Sequence, residues 1–299
     1  MQSLDWGDLQ VFQAIAQTGQ LTRAGAALRV DATTVSRRLR RLEARVGANL
    51  FEQTREGQVL TDAGEKLLLR VEQMSQAAAD IDQQETGGVP QLSGTLRISV
   101  AEGFGSWFLA RRLPEFARTH PQLTIDLVAN SGFLSLSKRE ADIAVMLSRP
   151  KAGPIIAAKL SDYLLGLYAA RSYLSVRGWP HQTADLLLGH YLVGYIPDLV
   201  YAPELRYLDE IHPGLTPQVR SSSINAQHQL IAAGAGIGIL PCFIGDSDQS
   251  LQAVLPEKRI LRTFWLLTHK DTHQLTRVRR GKEWLLKQVN QDRDVLLPS

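Results

Sequence analysis

Across residues 62–84 the chain has no proline and a single glycine, Gly64 in the first turn, while Leu67, Val71, Met74, Ala78 and Ile81 recur alternately four and three residues apart. That spacing predicts one long helix with a coiled-coil seam, because a period near 3.5 keeps apolar side chains on one line along a helix. A seam left in water is unfavourable by about 1.5–3 kcal/mol for each Leu- or Val-sized side chain, so self-pairing through these five residues is expected. The helix also divides the chain. Glu85-Thr86-Gly87-Gly88-Val89-Pro90 breaks it and reads as a hinge, and the patterns on its two sides differ in kind.

Upstream, residues 1–61 read as three short helices and a hairpin. Leu9, Phe12, Ile15 and Ala16 lie at helical spacing before a break at Thr18-Gly19, and a second helix covers 22–28. Asp31 caps a third, Gly47 ends it, and Val35, Leu39, Leu42 and Val46 form its narrow apolar stripe. Downstream of Leu92, β-rich runs at 96–100, 123–128, 143–146, 164–169, 191–194, 237–240 and 264–268 alternate with helical ones, the pattern of an α/β region. A length of 299 residues suits about two globular units, and no solenoid repeat or low-complexity segment interrupts them.

The formal net charge of +3 does not by itself announce a nucleic-acid binder, so the argument rests on local clustering. Wound at ~100° per residue, the third helix places Thr33, Arg37 and Arg40 opposite the apolar stripe, flanked by Thr34, Ser36 and Arg41. Cations and hydroxyls on one helix face suit the major groove, where an Arg fork matches guanine O6 and N7 and a Ser or Thr hydroxyl donates or accepts. On an isolated helix a basic face reads first as a solvated one. Here it follows two compact helices and runs into residues 49–61, where Gly57 turns a hairpin that carries Arg55 toward a phosphate or the minor groove. Thr22 and Arg23 on the second helix and Gln53 in the hairpin complete the candidate DNA-binding set, and Arg38 lies nearer the core edge.

The segment LTRAGAALRVDATTVSRRLRRLEARVGANLFEQTREGQVLTDAGEKLL resembles the DNA-binding half of LysR-type transcriptional regulators from end to end. The family's Val-Ser-Arg recognition core matches Val35-Ser36-Arg37, and its Arg-Leu-Glu run matches Arg41-Leu42-Glu43. Its Leu-Phe wing start matches Leu50-Phe51, and its Leu-Thr-x-Ala-Gly approach to the linker helix matches 60–64. Three departures stand out: Asp31-Ala32-Thr33 replaces the common Ser-Gln-Pro, Gln53 replaces the wing arginine, and Gly25 replaces an alanine. Ala32 removes a base contact, and Gly25 lowers helix propensity by ~1 kcal/mol.

The resemblance continues more loosely through Gly94-Thr95-Leu96-Arg97-Ile98, then Glu140-Ala141-Asp142-Ile143-Ala144-Val145, and the stretch 232–241. It implies an α/β plus all-α chain with three parts: a winged helix-turn-helix DNA-binding domain over 1–61, a linker (dimerisation) helix and hinge over 62–91, and an effector-binding domain over 92–299. The last would form two α/β lobes like those of periplasmic solute-binding proteins, lobe 1 from about 92–161 and 269–299 and lobe 2 from about 162–268, with a small-molecule effector between them. Implied partners are double-stranded DNA with a pseudo-palindromic operator, the effector, a second copy of the chain in a dimer or dimer of dimers, and RNA polymerase.

In such a fold, loops that leave strands and enter helices line the cleft. Those loops carry Glu102, Gly103, Phe104, Gly105 and Ser106; Asn130, Ser131 and Gly132; Tyr195; and Ser221, Ser222, Ser223 and Asn225. Each serine at a helix start is equally a cap. Arg149 can pair an anionic effector or a surface carboxylate, and Glu102 equally favours a cation, so the effector's charge is open.

Other chemistries find little footing. Gly234-x-Gly236-x-Gly238 follows a helix and precedes a strand, the reverse of a dinucleotide site. His269 and His273 lack further ligands, His181, His190 and His228 are no better supported, and no Gly-x-Ser-x-Gly occurs. No metal, cofactor or catalytic residue is expected. Cys242, the single cysteine, sits in an apolar run and reads as a small hydrophobe. With no basic-then-apolar leader and no long apolar run, a cytoplasmic protein with no membrane partner is expected. An enzyme fused to a DNA-binding module would need a reactive constellation, and a purely architectural protein would not need the α/β half.

Overall fold

A computed structural model of the chain describes residues 4–54, 57–86, 92–130, 136, 140–150 and 152–298. It divides into two compact units, Met1–Pro90 and Gln91–Ser299.

The first unit runs α1 (Trp6–Thr18), α2 (Leu21–Leu28), α3 (Ala32–Val46), an antiparallel hairpin of β1 (Phe51–Thr54) and β2 (Gly57–Leu60), and α4 (Asp62–Thr86). Caps fix where the helices begin. The Asp5 carboxylate accepts from the Gly7 amide at 2.8 Å, and the Asp31 carboxylate accepts from the Thr34 amide at 2.7 Å. Gly47 ends α3 in the left-handed region at φ 75°, a conformation glycine adopts without steric cost. Phe12, Ile15, Val35, Leu39, Leu42, Leu50 and Phe51 close one core between the three helices and the hairpin.

Two expectations change here. Val46, at the far end of the α3 stripe, is 37% exposed, because the helix ends at Gly47 before the core reaches it. The first half of the α4 seam is not left for a partner: Val71 is fully buried in the first unit's own core and Leu67 packs against it. Met74 remains 48% exposed and Ala78 is exposed. Ile81 lies within α4, but its side chain is outside the described residues.

The second unit is built on a nine-stranded mixed sheet in the order β4-β3-β5-β11-β6-β9-β7-β8, with β10 also paired to β6. Its elements are β3 (Gly94–Ala101), α5 (Leu113–Thr119), β4 (Leu123–Asn130), β5 (Ile143–Met146), β6 (Ile155–Ala170), α6 (Arg171–Arg177), α7 (Asp185–Leu188) and β7 (Leu192–Gly194). They continue with α8 (Leu208–Ile211), β8 (Val219–Arg220), α9 (Ile224–Ala232), β9 (Ile237–Pro241), α10 (Cys242–Gly245), β10 (Leu251–Val254), β11 (Ile260–His269), α11 (Thr276–Gln291) and α12 (Arg293–Leu296). Strands β3, β4 and β5 are parallel and carry α5 and α11, forming one lobe. Strands β7, β8 and β9 are parallel and carry α9, forming the other.

The long strands β6 and β11 join the lobes. They pair antiparallel along almost their whole length, β11 meeting β5 through 265–268 and β6 meeting β9 through 165–168. The register slips at Phe264/Trp265, between the stretch that serves one lobe and the stretch that serves the other. The front half of β6 and the strands β8 and β10 were not legible in the sequence pattern.

Candidate functional site

At the start of α3, Ala32, Thr33, Ser36, Arg37 and Arg40 border one open depression. Arg37 and Arg40 are exposed, and among the described residues neither enters an ion pair, so both guanidinium forks are available to an anionic partner. The opposite side of the helix is the buried Val35, Leu39 and Leu42 stripe, which fixes the basic face outward. Thr22 and Arg23 are exposed at the start of α2. Arg55 lies outside the described residues.

Four members of the expected DNA-binding set are otherwise engaged. Arg41 turns back to the first helix, where Asp8 is completely buried: Nε donates to Asp8 Oδ2 at 2.6 Å and an Nη donates to Oδ1. That is a correction, and its cause is a buried carboxylate that needs a counter-charge. The hydroxyls of Thr33 and Thr34 both donate to the Asp31 carboxylate, Thr34 at 2.8 Å, so they stiffen the cap rather than stand free for a base. Those contacts, the Thr33 hydroxyl foremost, hold the Asp31 carboxyl far below the usual carboxylate range. The Gln53 amide accepts from Gln58 across the hairpin, the cross-strand pair that β1 and β2 set up.

In the second unit, the loop after β3 meets the start of α9. Glu102 accepts from Ser223 Oγ at 2.7 Å, from the Ile224 amide at 3.0 Å and from Asn225 Nδ2 at 3.1 Å. Ser223 Oγ in turn accepts from the Ala226 amide at 3.1 Å, and Asn225 Nδ2 also reaches Ser106 Oγ at 3.2 Å. Glu102 belongs to one lobe and α9 to the other, so the carboxylate caps a helix across the cleft. Glu102 and Ser223, both candidates for effector contact, thus have partners within the protein, and Ser223 takes the cap role that the sequence equally allowed. Trp107, which the sequence reading passed over, joins the same latch: its Nε1 donates to Asn225 Oδ1 at 2.7 Å and its ring meets buried His228 at 4.7 Å. His228 Nε2 stands 2.9 Å from Asp248 Oδ2, off the hydrogen-bond direction.

Other expected contacts have structural occupations too. A Cβ at Gly105 would stand 2.4 Å from Ala129 Cβ, so that position is set by packing against β4. Ser221 Oγ accepts from the Ser223 amide at 3.1 Å, Ser222 is half-buried, and Asn130 is exposed at the end of β4. Arg149 is exposed and lies over Trp265, 5.4 Å from the ring centre, and it does not line the cavity of the cleft. Ser131 and Gly132 lie outside the described residues.

The cleft keeps a narrow cavity of about 40 Å³. Tyr163, Tyr195, Tyr201 and Tyr207 line it with Phe104 and Phe264, and Gly103 and Ile224 close the latch side. Glu204 is the one charged lining side chain among the described residues. Burial pushes the phenols of Tyr163, Tyr195 and Tyr207 upward and that of Tyr201 to about 12, so all four are neutral near pH 7. Cys242 is buried and its thiol is raised by burial, an environment that suppresses the reactive thiolate. Among the described residues no three His, Cys, Asp or Glu side chains converge on a metal site, and no helix is long and apolar enough to cross a membrane.

Residues 90–290 match the family model of the LysR substrate binding domain, and residues 6–65 match that of the bacterial regulatory helix-turn-helix protein, lysR family. The chain is 27% identical over 287 residues to the Mau operon transcriptional activator of Paracoccus denitrificans, covering 94% of this chain and 95% of that protein. It is 28% identical over 252 residues to the HTH-type transcriptional regulator CrgA of Neisseria meningitidis, covering 83% of each. The solved structure of CrgA matches the fold with a TM-score of 0.59 at 24% identity, over 96% of this chain and 99% of that one.

Proposed function

The chain belongs to the LysR family of transcriptional regulators, with a helix-turn-helix DNA-binding domain and an effector-binding domain, and on that premise we propose how its residues divide the work. The α3 face of Ser36, Arg37 and Arg40 enters the major groove, Thr22 and Arg23 contact the flanking backbone, and Arg55 follows from the wing. The depression bordered by Thr33, Ser36, Arg37 and Arg40, with both guanidinium forks turned outward, carries this reading. Residues 1–61 form the DNA-binding domain, 62–91 the linker and 92–299 the effector domain.

The exposed far half of α4, with Met74 and Ala78, pairs with a second copy, and two recognition helices then read a pseudo-palindromic operator about one turn, ~34–36 Å, between half-sites. An effector enters the cleft between the lobes and shifts their angle through β6 and β11, altering how the oligomer, a dimer or a dimer of dimers, presents DNA to RNA polymerase. The protein works in the cytoplasm and performs no catalysis, as its relatives are named regulators rather than enzymes. Selection from a random duplex pool by the purified chain at ~0.15 M salt tests the reading. Enrichment of a pseudo-palindrome supports it, and an unenriched pool contradicts it.

A further inference from the structure

Two contacts across the cleft share one chemistry: a carboxylate of one lobe is held by a serine of the other. Glu102, at the end of β3 in the first lobe, accepts from Ser223 Oγ at 2.7 Å and from the Ile224 amide at 3.0 Å. Glu204, between β7 and α8 in the second lobe, accepts through Oε2 from the hydroxyl of Ser148, which follows β5 in the first. Donor and acceptor exchange sides, and the partners lie 121 and 56 residues apart, so both latches exist only while the lobes meet.

Both stand at the edge of the same cavity. Gly103, next to Glu102, lines it with Ile224, and Leu147, next to Ser148, lines it with Glu204 itself. The first side has no slack, since a Cβ at Gly103 would stand 3.2 Å from Ile224 Cγ2 and 3.1 Å from Ile244 Cδ1. The enclosed cavity of about 40 Å³ has room for little more than water, whereas pockets that hold organic ligands run to ~300–1,000 Å³. An organic effector therefore does not fit while both latches are made, and the lobes must part to admit it.

A hydrogen bond to a charged oxygen favours its made state by roughly ten- to a hundredfold, and it weakens steeply once its angle opens. Glu102 and Glu204 are half-buried, so an opened latch returns its carboxylate to water rather than stranding it. Such contacts hold a state without making it permanent. We propose that the effector-free state of this regulator is the closed one, held by the Glu102–Ser223 and Glu204–Ser148 latches, and that an effector switches it by breaking them and parting the lobes. This switch rests on the lobe cleft being the effector site and gives that site a direction of movement.

Electron–electron double resonance on the full-length chain reads the lobe separation, with spin labels at Arg118→Cys on α5 and Val176→Cys on α6, both exposed and one on each lobe. Cys242 is buried and stays unlabelled, and dilution with unlabelled chains isolates distances within one chain. Ligand-free wild type is expected to show the separation of the closed fold, with an open state below ~10%. Glu102→Gln combined with Ser148→Ala takes an acceptor oxygen from one latch and the donor from the other, and neither residue lines the cavity. That double variant is expected to shift most molecules to a longer distance and to change the footprint on the selected operator with no effector present. Thermal unfolding confirms that it is folded. A wild-type distribution dominated by distances longer than the closed fold gives overturns the closed state, whatever the variant does. An unchanged distance in the folded double variant overturns the latches while leaving the cleft as the effector site. Opening with an unchanged footprint overturns the switch together with the reading that lobe angle governs DNA.

Discussion

Arg37 and Arg41 are four residues apart on one helix, and their neighbours give them different tasks. Arg37 is exposed, with no ion pair among the described residues, whereas Arg41, itself half exposed, neutralises an Asp8 that has no access to water. Arg41→Ala is therefore expected to cost stability, because it strands a buried carboxylate. Chemical denaturation checks this, and replacing Asp8 and Arg41 together by leucines should recover a large part of the loss. Asp31 offers a finer test. Its depressed pKa means that the cap contributes stability above the ordinary carboxylate range, and that contribution is lost only as pH falls through the lowered folded value. In an NMR titration Asp31 should stay ionised well below the other exposed aspartates, and Thr33→Ala should move its midpoint up. Helical spacing placed the α3 face correctly but could not reveal the Arg41 pairing, since Asp8 lies 33 residues away and becomes its neighbour only when α1 and α3 pack.

Element by element, packing decides positions that propensity misjudges. By propensity alone Gly25 is a weak point of α2, and alanine would gain ~1 kcal/mol. In the fold a Cβ there would meet the Val30 carbonyl oxygen at 2.6 Å, closer than such contacts allow, where the chain turns toward α3. Gly25→Ala should thus lower the melting temperature, with overpacking of ~1–3 kcal/mol exceeding the propensity gain; a rise would mean that the turn relaxes freely. The α4 periodicity correctly marked a helix, yet its first seam residues serve the local core, because a 3.5-residue stripe does not say which surface will cover it. The α9 start shows the same gap in legibility. Ser223 reads as a cap and is one, but the carboxylate that completes the cap comes from Glu102, 121 residues earlier. Glu102→Ala should destabilise the second unit by about 1.5–3 kcal/mol, the range for hydrogen bonds to a charged group, and speed amide exchange at Ile224 and Ala226. Unchanged exchange there would dissolve the latch.

For the whole molecule, two units with separate cores divide recognition of DNA from recognition of a small molecule, and the strands β6 and β11 join the two lobes of the second unit. Many element types were legible: the change from helical to α/β periodicity at the hinge, and seven of the second unit's strands at least in part, follow from local pattern, whereas β8 and β10 do not. The cleft was less so, because its walls include residues such as Tyr163 and Phe264 that look like ordinary core in sequence and line one cavity only when β6 and β11 bring them together. The central claim is that the exposed face of α3 reads DNA sequence. It is tested most directly by measuring, at fixed salt, the affinity ratio between the selected operator and a scrambled duplex for wild type, Arg37→Ala and Arg41→Ala. One lost base-edge fork is worth ~1–3 kcal/mol, so Arg37→Ala should lower the ratio roughly ten- to a hundredfold while the folded fraction of Arg41→Ala keeps it. An Arg37→Ala protein that discriminates as well as wild type would contradict the account.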